Sequence, residues 1–325
     1  MQPGELSVVT GAFGYTGRYI TGRLLSRGQR VKTLTGHPDR PNPFGGSIEV
    51  AAYSFRDRKR LVENLRGAVT LYNTYWIRFP YGKASFLTAV ANTAKLIDAA
   101  KEAGVQRFVH ISITNASDDS DLPYFKGKGM VEKILIGSGL SYAIIRPSVL
   151  FGAGDVLINN IAWMLRRFPL FVIPGAGDYR LQPVFVEDVA EMAVGAAGRE
   201  QNLIIDAVGP EIFTFEQLVR LIAQKIKRSS KIVHLNPGPA LFLARLIGFL
   251  VNDVVLTRDE ANGLMANLLV SGNPPTGKTS FSEWLDLNAC NLGTRYASEL
   301  SRHFWHGAHG GRSRFLERIC SSERA

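Results

Sequence analysis

Three observations on this chain of 325 residues predict an α/β fold: a doubly wound parallel sheet followed by a smaller, mostly helical C-terminal portion. Over the first half, short apolar runs alternate with helix-period stretches, the pattern of a parallel sheet covered on both faces. A glycine-rich turn, VTGAFGYTGRYI from Val9 to Ile20, joins the first run to the first helical stretch. Past Arg146 the alternation breaks into loops containing Gly and Pro, RPSVLFGAGD and FVIPGAGDYRLQP, and then into helical patterns through Leu300.

The elements follow in order. Leu6 to Thr10 reads as strand one, and Tyr15 to Arg27 as a helix stopped by Gly28. Val31 to Thr35 and Ile48 to Ala52 are strands two and three, and Arg58 to Leu65 a short helix with Leu61, Val62 and Leu65 on one side. Val69 to Tyr72 is strand four, and Ala84 to Ala103 a long helix with Phe86, Val90 and Ile97 inward, stopped by Gly104. Phe108 to Ile111 is strand five, and Leu203 to Asp206 a later strand that can return to the sheet. The expected organisation is a nucleotide-binding domain over 1–150, a substrate portion over 151–302, and a Gly- and Arg-rich basic tail, disordered, over 303–325.

Composition narrows the function classes. With 46% hydrophobic and 20% charged residues the chain reads as an ordinary soluble protein. Cys290 and Cys320 have no paired spacing, so neither a disulfide framework nor a cysteine metal site is expected, and a reducing, cytoplasmic setting fits. The N-terminus lacks a basic segment followed by an apolar block, and no secretion signal is expected. Ala240 to Val251 is too short to span a bilayer at the ~20 residues required and reads as a buried or interfacial helix. A net charge of +10 favours anionic partners: a phosphorylated cofactor or, by peripheral contact, an acidic membrane surface. The basic runs RDRKR and KIKRSSK lack interleaved aromatic residues, so no nucleic-acid partner is expected. Nothing in the sequence sets the oligomeric state.

Gly11, Gly14 and Gly17 stand directly between strand one and a helix. Side-chain-free positions there let backbone turn tightly and approach a pyrophosphate, and let helix and strand pack closely. The helix start then turns free N–H groups and its positive dipole end toward phosphate. The end of strand two distinguishes the dinucleotides: an acid there binds a ribose 2′-hydroxyl, a cation a 2′-phosphate. No Asp or Glu follows Glu5 through Pro38, and the strand ends in TLTGHPDR with Gly36, His37 and Arg40, so NADP is favoured over NAD.

After strand five, HISITNASDDSDLPYFKGKGM places Tyr124 and Lys128 four apart, on one face of a helix. A nearby ammonium is expected to lower the phenol's pKa and make it a workable acid or base. Ser112 and Thr114 follow the strand where a hydroxyl could hold a substrate carbonyl. Gly127 and Gly129 each weaken the helix by ~1 kcal/mol relative to alanine.

Together VTGAFGYTG, the Tyr124–Lys128 pair, SGLSYAIIRPSVLFG and LQPVFVEDVAEMAV resemble the short-chain dehydrogenase/reductase superfamily, in its atypical and extended branch. That branch includes the accessory nucleotide-binding subunit of respiratory complex I and the NmrA-like proteins, and the resemblance runs from about Leu6 to Leu300. It implies a Rossmann domain and a bound NAD(P). Gly11, Phe13, Gly14, Tyr15, Thr16 and Gly17 match the phosphate loop, and Gly36, His37 and Arg40 the adenosine ribose segment. Ser54 stands where an adenine-contacting Asp is usual, beside Phe55; Asn73, Thr74 and Tyr75 match the strip along the cofactor ribose, and Pro147 and Ser148 the segment meeting the nicotinamide. The resemblance implies Tyr124 as acid/base, Lys128 as its partner and Thr114, or alternatively Ser112, as carbonyl orienter. Arg180 and Gln182 would lie over the substrate side, Arg180 binding an anion, and Asp188 would be a structural acid at a helix start.

The function expected is hydride transfer between a nicotinamide and a carbonyl or alcohol. A nucleotide-binding scaffold or redox sensor without turnover, and an epimerase or dehydratase of a nucleotide-linked substrate, are the alternatives. GNPPTGKT, Gly272 to Thr279, has the spacing of a nucleoside-triphosphate loop, but Pro274 and Pro275 remove two of the amides such a loop needs. His303, His306 and His309 are interrupted by glycines, and no metal site is expected. His110 reads as a packed side chain, and the stripe WMLRRFPLF as core, lid or membrane-facing surface.

Overall fold

A computed structural model of the chain describes residues 4–303. The expected tail therefore lies outside the described residues apart from His303, and so do His306, His309 and Cys320. In the first half the order is β1 (Leu6–Thr10), α1 (Tyr15–Ser26), β2 (Arg30–Thr35), β3 (Ile48–Ala52), α2 (Arg58–Leu65) and β4 (Ala68–Asn73). Then come α3 (Phe86–Glu102), β5 (Arg107–Ile111), α4 (Pro123–Gly137) and β6 (Ser141–Pro147).

The second portion comprises β7 (Leu150–Phe151), α5 (Leu157–Arg167), β8 (Leu170–Pro174), β9 (Arg180–Leu181), β10 (Val184–Phe185), α6 (Val186–Ala197), β11 (Leu203–Ala207) and β12 (Phe213–Thr214). It continues through α7 (Phe215–Lys225), β13 (Lys231–Leu235), α8 (Pro237–Val251), α9 (Arg258–Met265), α10 (Phe281–Asn288) and α11 (Glu299–His303).

The central sheet has seven strands in the order β11-β6-β5-β4-β1-β2-β3, every pair parallel. Strand order reverses between β1 and β4, and a ligand crevice opens at such a switch point, outside the carboxyl ends of the strands. The glycine turn leaves β1 at that point. β11 returns from the second portion to pair with β6, Leu203 opposite Ala143 through Ala207 opposite Pro147.

Helix identities follow from local chemistry. In α3 the Ser85 side chain accepts from Thr88 N, and Phe86, Val90, Thr93 and Ile97 form the buried stripe. Gly104, at φ +75, closes that helix in the left-handed region where glycine carries no Cβ penalty. α1 buries Ile20 and Leu24, each with no exposed surface and each contributing roughly 1.5–3 kcal/mol by its removal from water. Two apolar layers cover the sheet faces, one holding Val9, Ile20 and Val109, the other Val8, Leu71 and Phe108. A third cluster, with Phe151, Ile161, Leu218, Ile222 and Phe281, is drawn wholly from residues 149–292.

β8 and β13 pair in parallel apart from the main sheet, Leu170 opposite Lys231. The basic run preceding β13 is no continuous helix face: α7 stops at Lys225, and Lys227 takes φ +56 before the strand begins.

Candidate dinucleotide and active site

The glycine loop is built by steric necessity. A Cβ on Gly17 would stand 2.2 Å from the carbonyl oxygen of Gly11, and one on Gly14 3.1 Å from the same atom. Gly11 itself has φ +70 and donates its N–H to Leu34 O at 2.8 Å. Gly14 offers α1 no capping side chain, and the first turn of α1 holds no acid. The amides at this helix start are thus left for an outside anion, with the helix dipole behind them.

The loop is clamped to β4. Thr10 Oγ1 donates to Asn73 Oδ1 at 3.0 Å and accepts from the amides of Thr74 and Tyr75 at 2.8 and 3.0 Å. Asn73, fully buried, also donates through Nδ2 to His110 Nδ1 at 3.1 Å. Burial, and then the charge of Lys128, hold the imidazole well below its usual pKa, so His110 is a neutral, packed side chain. The Tyr75 hydroxyl accepts from Asn92 at 2.9 Å.

Beside the segments expected to meet the adenosine lies Tyr53, for which the sequence gives no expectation. Its ring stacks on Phe55 at 4.9 Å and meets Tyr75 at 5.3 Å. Its hydroxyl lies 3.8 Å from where a Gly11 Cβ would be, and its ring edge 3.8 Å from that of Gly36. Tyr53 thus spans the two glycines of the groove, beside Ser54. Arg40 donates to the carbonyls of Arg302 and Ser301, tying the ribose segment to α11, and the His37 amide donates to Thr35 Oγ1. Phe13 packs against the apolar layer under the sheet, and the buried hydroxyl of Tyr15 lies near Gly152, 3.1 Å from where a Cβ would stand.

One cavity of about 180 Å³ lies at the carboxyl edge of the sheet. It is lined by Thr16, Thr74, Trp76, Ile111, Ser112, Ile113, Tyr124, Lys128, Pro147, Ser148 and Leu150. Residues expected to bind cofactor and residues expected to do chemistry therefore share one space. Ser112, 4% exposed, has no hydrogen-bond partner for its hydroxyl among the described residues. Thr114 faces elsewhere: its hydroxyl donates to Leu268 O at 3.0 Å, so of the two hydroxyls only Ser112 lines the cavity.

α4 delivers Tyr124 and Lys128, starting with Pro123 in its first turn. Its glycines have a packing reason that offsets their helix cost. A Cβ on Gly129 would lie 2.2 Å from the Ser117 carbonyl carbon, and one on Gly127 3.0 Å from the Trp76 ring. Lys128 is 3% exposed; its Nζ donates to Ile111 O at 2.8 Å and lies 4.6 Å from the centre of the Trp76 ring. Burial lowers its pKa to about 7, against an opposing pull from Glu132.

Tyr124 departs from expectation. Its ring sits edge-on to Trp76, Phe86 and Phe125 at 6.1, 5.7 and 5.8 Å. Burial, and next the charge of Glu260, push the phenol's pKa up; the expected lowering by Lys128 is not what its surroundings produce. Glu260 is itself paired to Arg78 at 2.5 Å, and Arg78 also donates to Val255 O at 3.2 Å.

The two residues expected over the substrate side lie outside this cavity. Gln182 is buried, its amide donating to Gly209 O at 2.9 Å and accepting from Ser271 N at 3.1 Å, which ties three loops together. Arg180 is exposed on β9, its backbone amide held by Asn267 Oδ1. Asp188 lies in the first turn of α6 and accepts from the amides of Lys278 and Thr279, both at 2.8 Å. The last two amides of GNPPTGKT are therefore engaged by the protein's own carboxylate. No cluster of side chains suited to a metal occurs among the described residues.

Residues 11–156, the span holding the glycine loop, β4, β5 and α4, match the family described as NAD(P)H-binding. The chain carries an NAD(P)H-binding domain. Over 289 residues it is 26% identical to the mitochondrial NADH dehydrogenase [ubiquinone] 1 alpha subcomplex subunit 9 of Arabidopsis thaliana, covering 83% of this chain and 72% of that protein. The Mus musculus subunit of the same name is 29% identical over 207 residues, 59% of this chain and 53% of that one, so the match spans about half the length of the mouse protein. Among solved structures, an NADPH-dependent quinone oxidoreductase of Escherichia coli complexed with NADPH superposes with a TM-score of 0.66 at 19% identity, over 86% of this chain and 99% of that one. A UDP-glucose 4-epimerase of Thermotoga maritima with UDP-glucose gives 0.63 at 18%, over 87% and 97%. These two likenesses establish the fold around the NAD(P)H-binding domain.

Proposed function

We propose that the chain is an NAD(P)-dependent oxidoreductase acting on a carbonyl or alcohol, with NADPH the favoured form because the ribose segment carries no acid before Asp39. The observation that carries this reading is the single cavity shared by Thr16, Thr74, Pro147 and Ser148 with Ser112, Tyr124 and Lys128. The loop fits a dinucleotide: Gly11, at φ +70, and Gly17, packed against the Gly11 carbonyl, make the turn tight, and the α1 amides have neither a capping side chain nor an acid in the first turn. When bound, the nicotinamide supplies or accepts the hydride.

The chain's own residues hold and move the proton. Ser112 Oγ, otherwise unpartnered among the described residues, hydrogen-bonds the substrate oxygen. Tyr124, which lines the same cavity, donates toward that oxygen. Lys128, near pKa 7 and one turn away, exchanges a proton at neutral pH, the range in which a general acid–base group is most effective. Trp76 and Phe86 restrict water around the pair.

Tyr124→Phe tests the assignment. It should leave NADPH affinity within about twofold of wild type while lowering NADPH consumption with a carbonyl panel at least ~100-fold, the span usual for a lost proton-transfer group. Wild-type turnover in that variant overturns the role of Tyr124. A second reading, a dinucleotide-binding scaffold without turnover, is favoured by one feature: burial and Glu260 raise the phenol's pKa, away from an acid/base role. It is supported if no carbonyl is turned over and purified protein releases a dinucleotide on denaturation.

A further inference from the structure

Helix α8 reads PGPALFLARLIGFLV and buries only Ala240, Leu241 and Gly248. Phe242, Leu243, Leu246, Phe249 and Leu250 are exposed, Phe249 to 87% and Phe242 to 60%. Positions 242, 246, 249 and 250 recur at steps of three and four, so they share one face, with Leu243 beside them. Single apolar side chains on a surface are ordinary; a contiguous set of five large ones marks an interaction site.

The face belongs to a well-anchored element. Asn252, at φ +54, closes the helix in a left-handed cap, donating to Gly248 O. Asp253 then accepts the amides of Glu299 and Leu300 at 2.8 and 3.1 Å, and Val255 O accepts from Arg78.

We propose that this face docks in the plane of an anionic lipid surface. The helix carries no acid and a single charge, Arg245, which is exposed among the apolar side chains, and the chain as a whole is +10. An amphipathic helix with Phe and Leu on one side and basic charge beside them binds at the headgroup boundary, where an arginine keeps its guanidinium among the phosphates and its stem in the apolar layer. Fifteen residues fall short of the ~20 needed to span a bilayer, so the helix lies along it. A stable protein interface recruits roughly 20–30 residues a side, far more than this one face supplies. The contact does not depend on the proposed redox chemistry.

The test is co-sedimentation of the full chain with phosphatidylcholine vesicles, with and without phosphatidylglycerol. Wild type should partition at least tenfold better onto the anionic vesicles, and less at high salt. Phe249→Ser with Leu250→Ser should lower partitioning at least tenfold with no loss of Tm, since both side chains are exposed, and Arg245→Glu should erase the preference for phosphatidylglycerol. Equal partitioning of wild type and the double variant, or none by either, overturns the proposal. So does a wild-type dimer that the double variant converts to monomer, or vesicle binding that appears only when residues 304–325 are removed.

Discussion

Gly17→Ala and Gly22→Ala add the same methyl group to α1, five residues apart, and should act in opposite directions. At Gly17 the new Cβ would meet only backbone: Gly11 O at 2.2 Å, Gly11 C at 2.8 Å and Ala12 Cα at 3.2 Å. No side chain can rotate away, so reaching an ordinary 3.4 Å contact requires the helix and loop to part by 3.4 − 2.2, about 1.2 Å. Gly11 cannot yield freely, because its amide is bonded to Leu34 O and its carbonyl accepts Gly14 N, both at 2.8 Å. Overpacking of this kind costs ~1–3 kcal/mol. A displacement of ~1 Å in groups that position a ligand can cost ~100-fold. Dinucleotide affinity should therefore fall on the order of 100-fold, or roughly 2.8 kcal/mol. At Gly22 nothing lies within 4 Å and the backbone is ordinary helix, so alanine should stabilise by ~0.5–1 kcal/mol. For a chain this long that is about 1 °C in Tm. Titration calorimetry with NADPH and NADH, run beside thermal unfolding of both variants, reads the two effects. A Gly17→Ala protein that binds within threefold of wild type would refute the claim that this loop cradles the diphosphate.

Two further outcomes follow from charged side chains. Lys128 has a folded pKa of about 7 against an ordinary 10.5, so between those values the unfolded chain holds a proton that the folded one lacks. Stability from this group therefore rises with pH across that window, by roughly 4–5 kcal/mol at ~1.36 kcal/mol per pH unit. In urea titrations Lys128→Met should gain over wild type most at pH 7 and below, the gain vanishing by pH 10.5; a constant difference across the range refutes the depressed pKa. Asp188→Ala strips the amides of Lys278 and Thr279 of their acceptor and should cost ~2 kcal/mol in chemical denaturation while leaving dinucleotide affinity intact. An unchanged midpoint would show that this carboxylate does not hold the segment.

What the sequence made legible was what neighbours along the chain decide. The glycine spacing, the stop of α3 at Gly104, and the face shared by Tyr124 and Lys128 all depend on residues within a few positions of one another. What it hid depends on distant partners. Trp76, from the loop after β4, and Phe86, from α3, pack around Tyr124, and burial, then Glu260 from α9, raises its pKa, so a spacing that correctly put phenol and ammonium one turn apart gave the wrong sign for the phenol's shift. Ser112 and Thr114 are two residues apart on one strand exit, and only the position of Leu268 O decides which is engaged. The β8–β13 pair was missed because each strand is five residues long and its partner lies some sixty residues away. Tyr53 carried no signal beyond an aromatic pair, Tyr53 and Phe55, flanking Ser54.

The two glycine-bearing phosphate-like motifs in this chain separate on one physical criterion. Both VTGAFGYTG and GNPPTGKT offer backbone amides at a turn, and spacing alone cannot say whether an anion comes from outside. In the second, Asp188 supplies the negative charge from within the fold and takes the Lys278 and Thr279 amides at 2.8 Å. In the first, Gly14 has no capping side chain, the opening turn of α1 contains no acid, and no Asp or Glu follows Glu5 until Asp39. A helix start needs an acceptor. Here the chain supplies none of its own, next to a glycine at φ +70 and at the point where strand order reverses, and the dinucleotide proposed for this site would supply it through its phosphate.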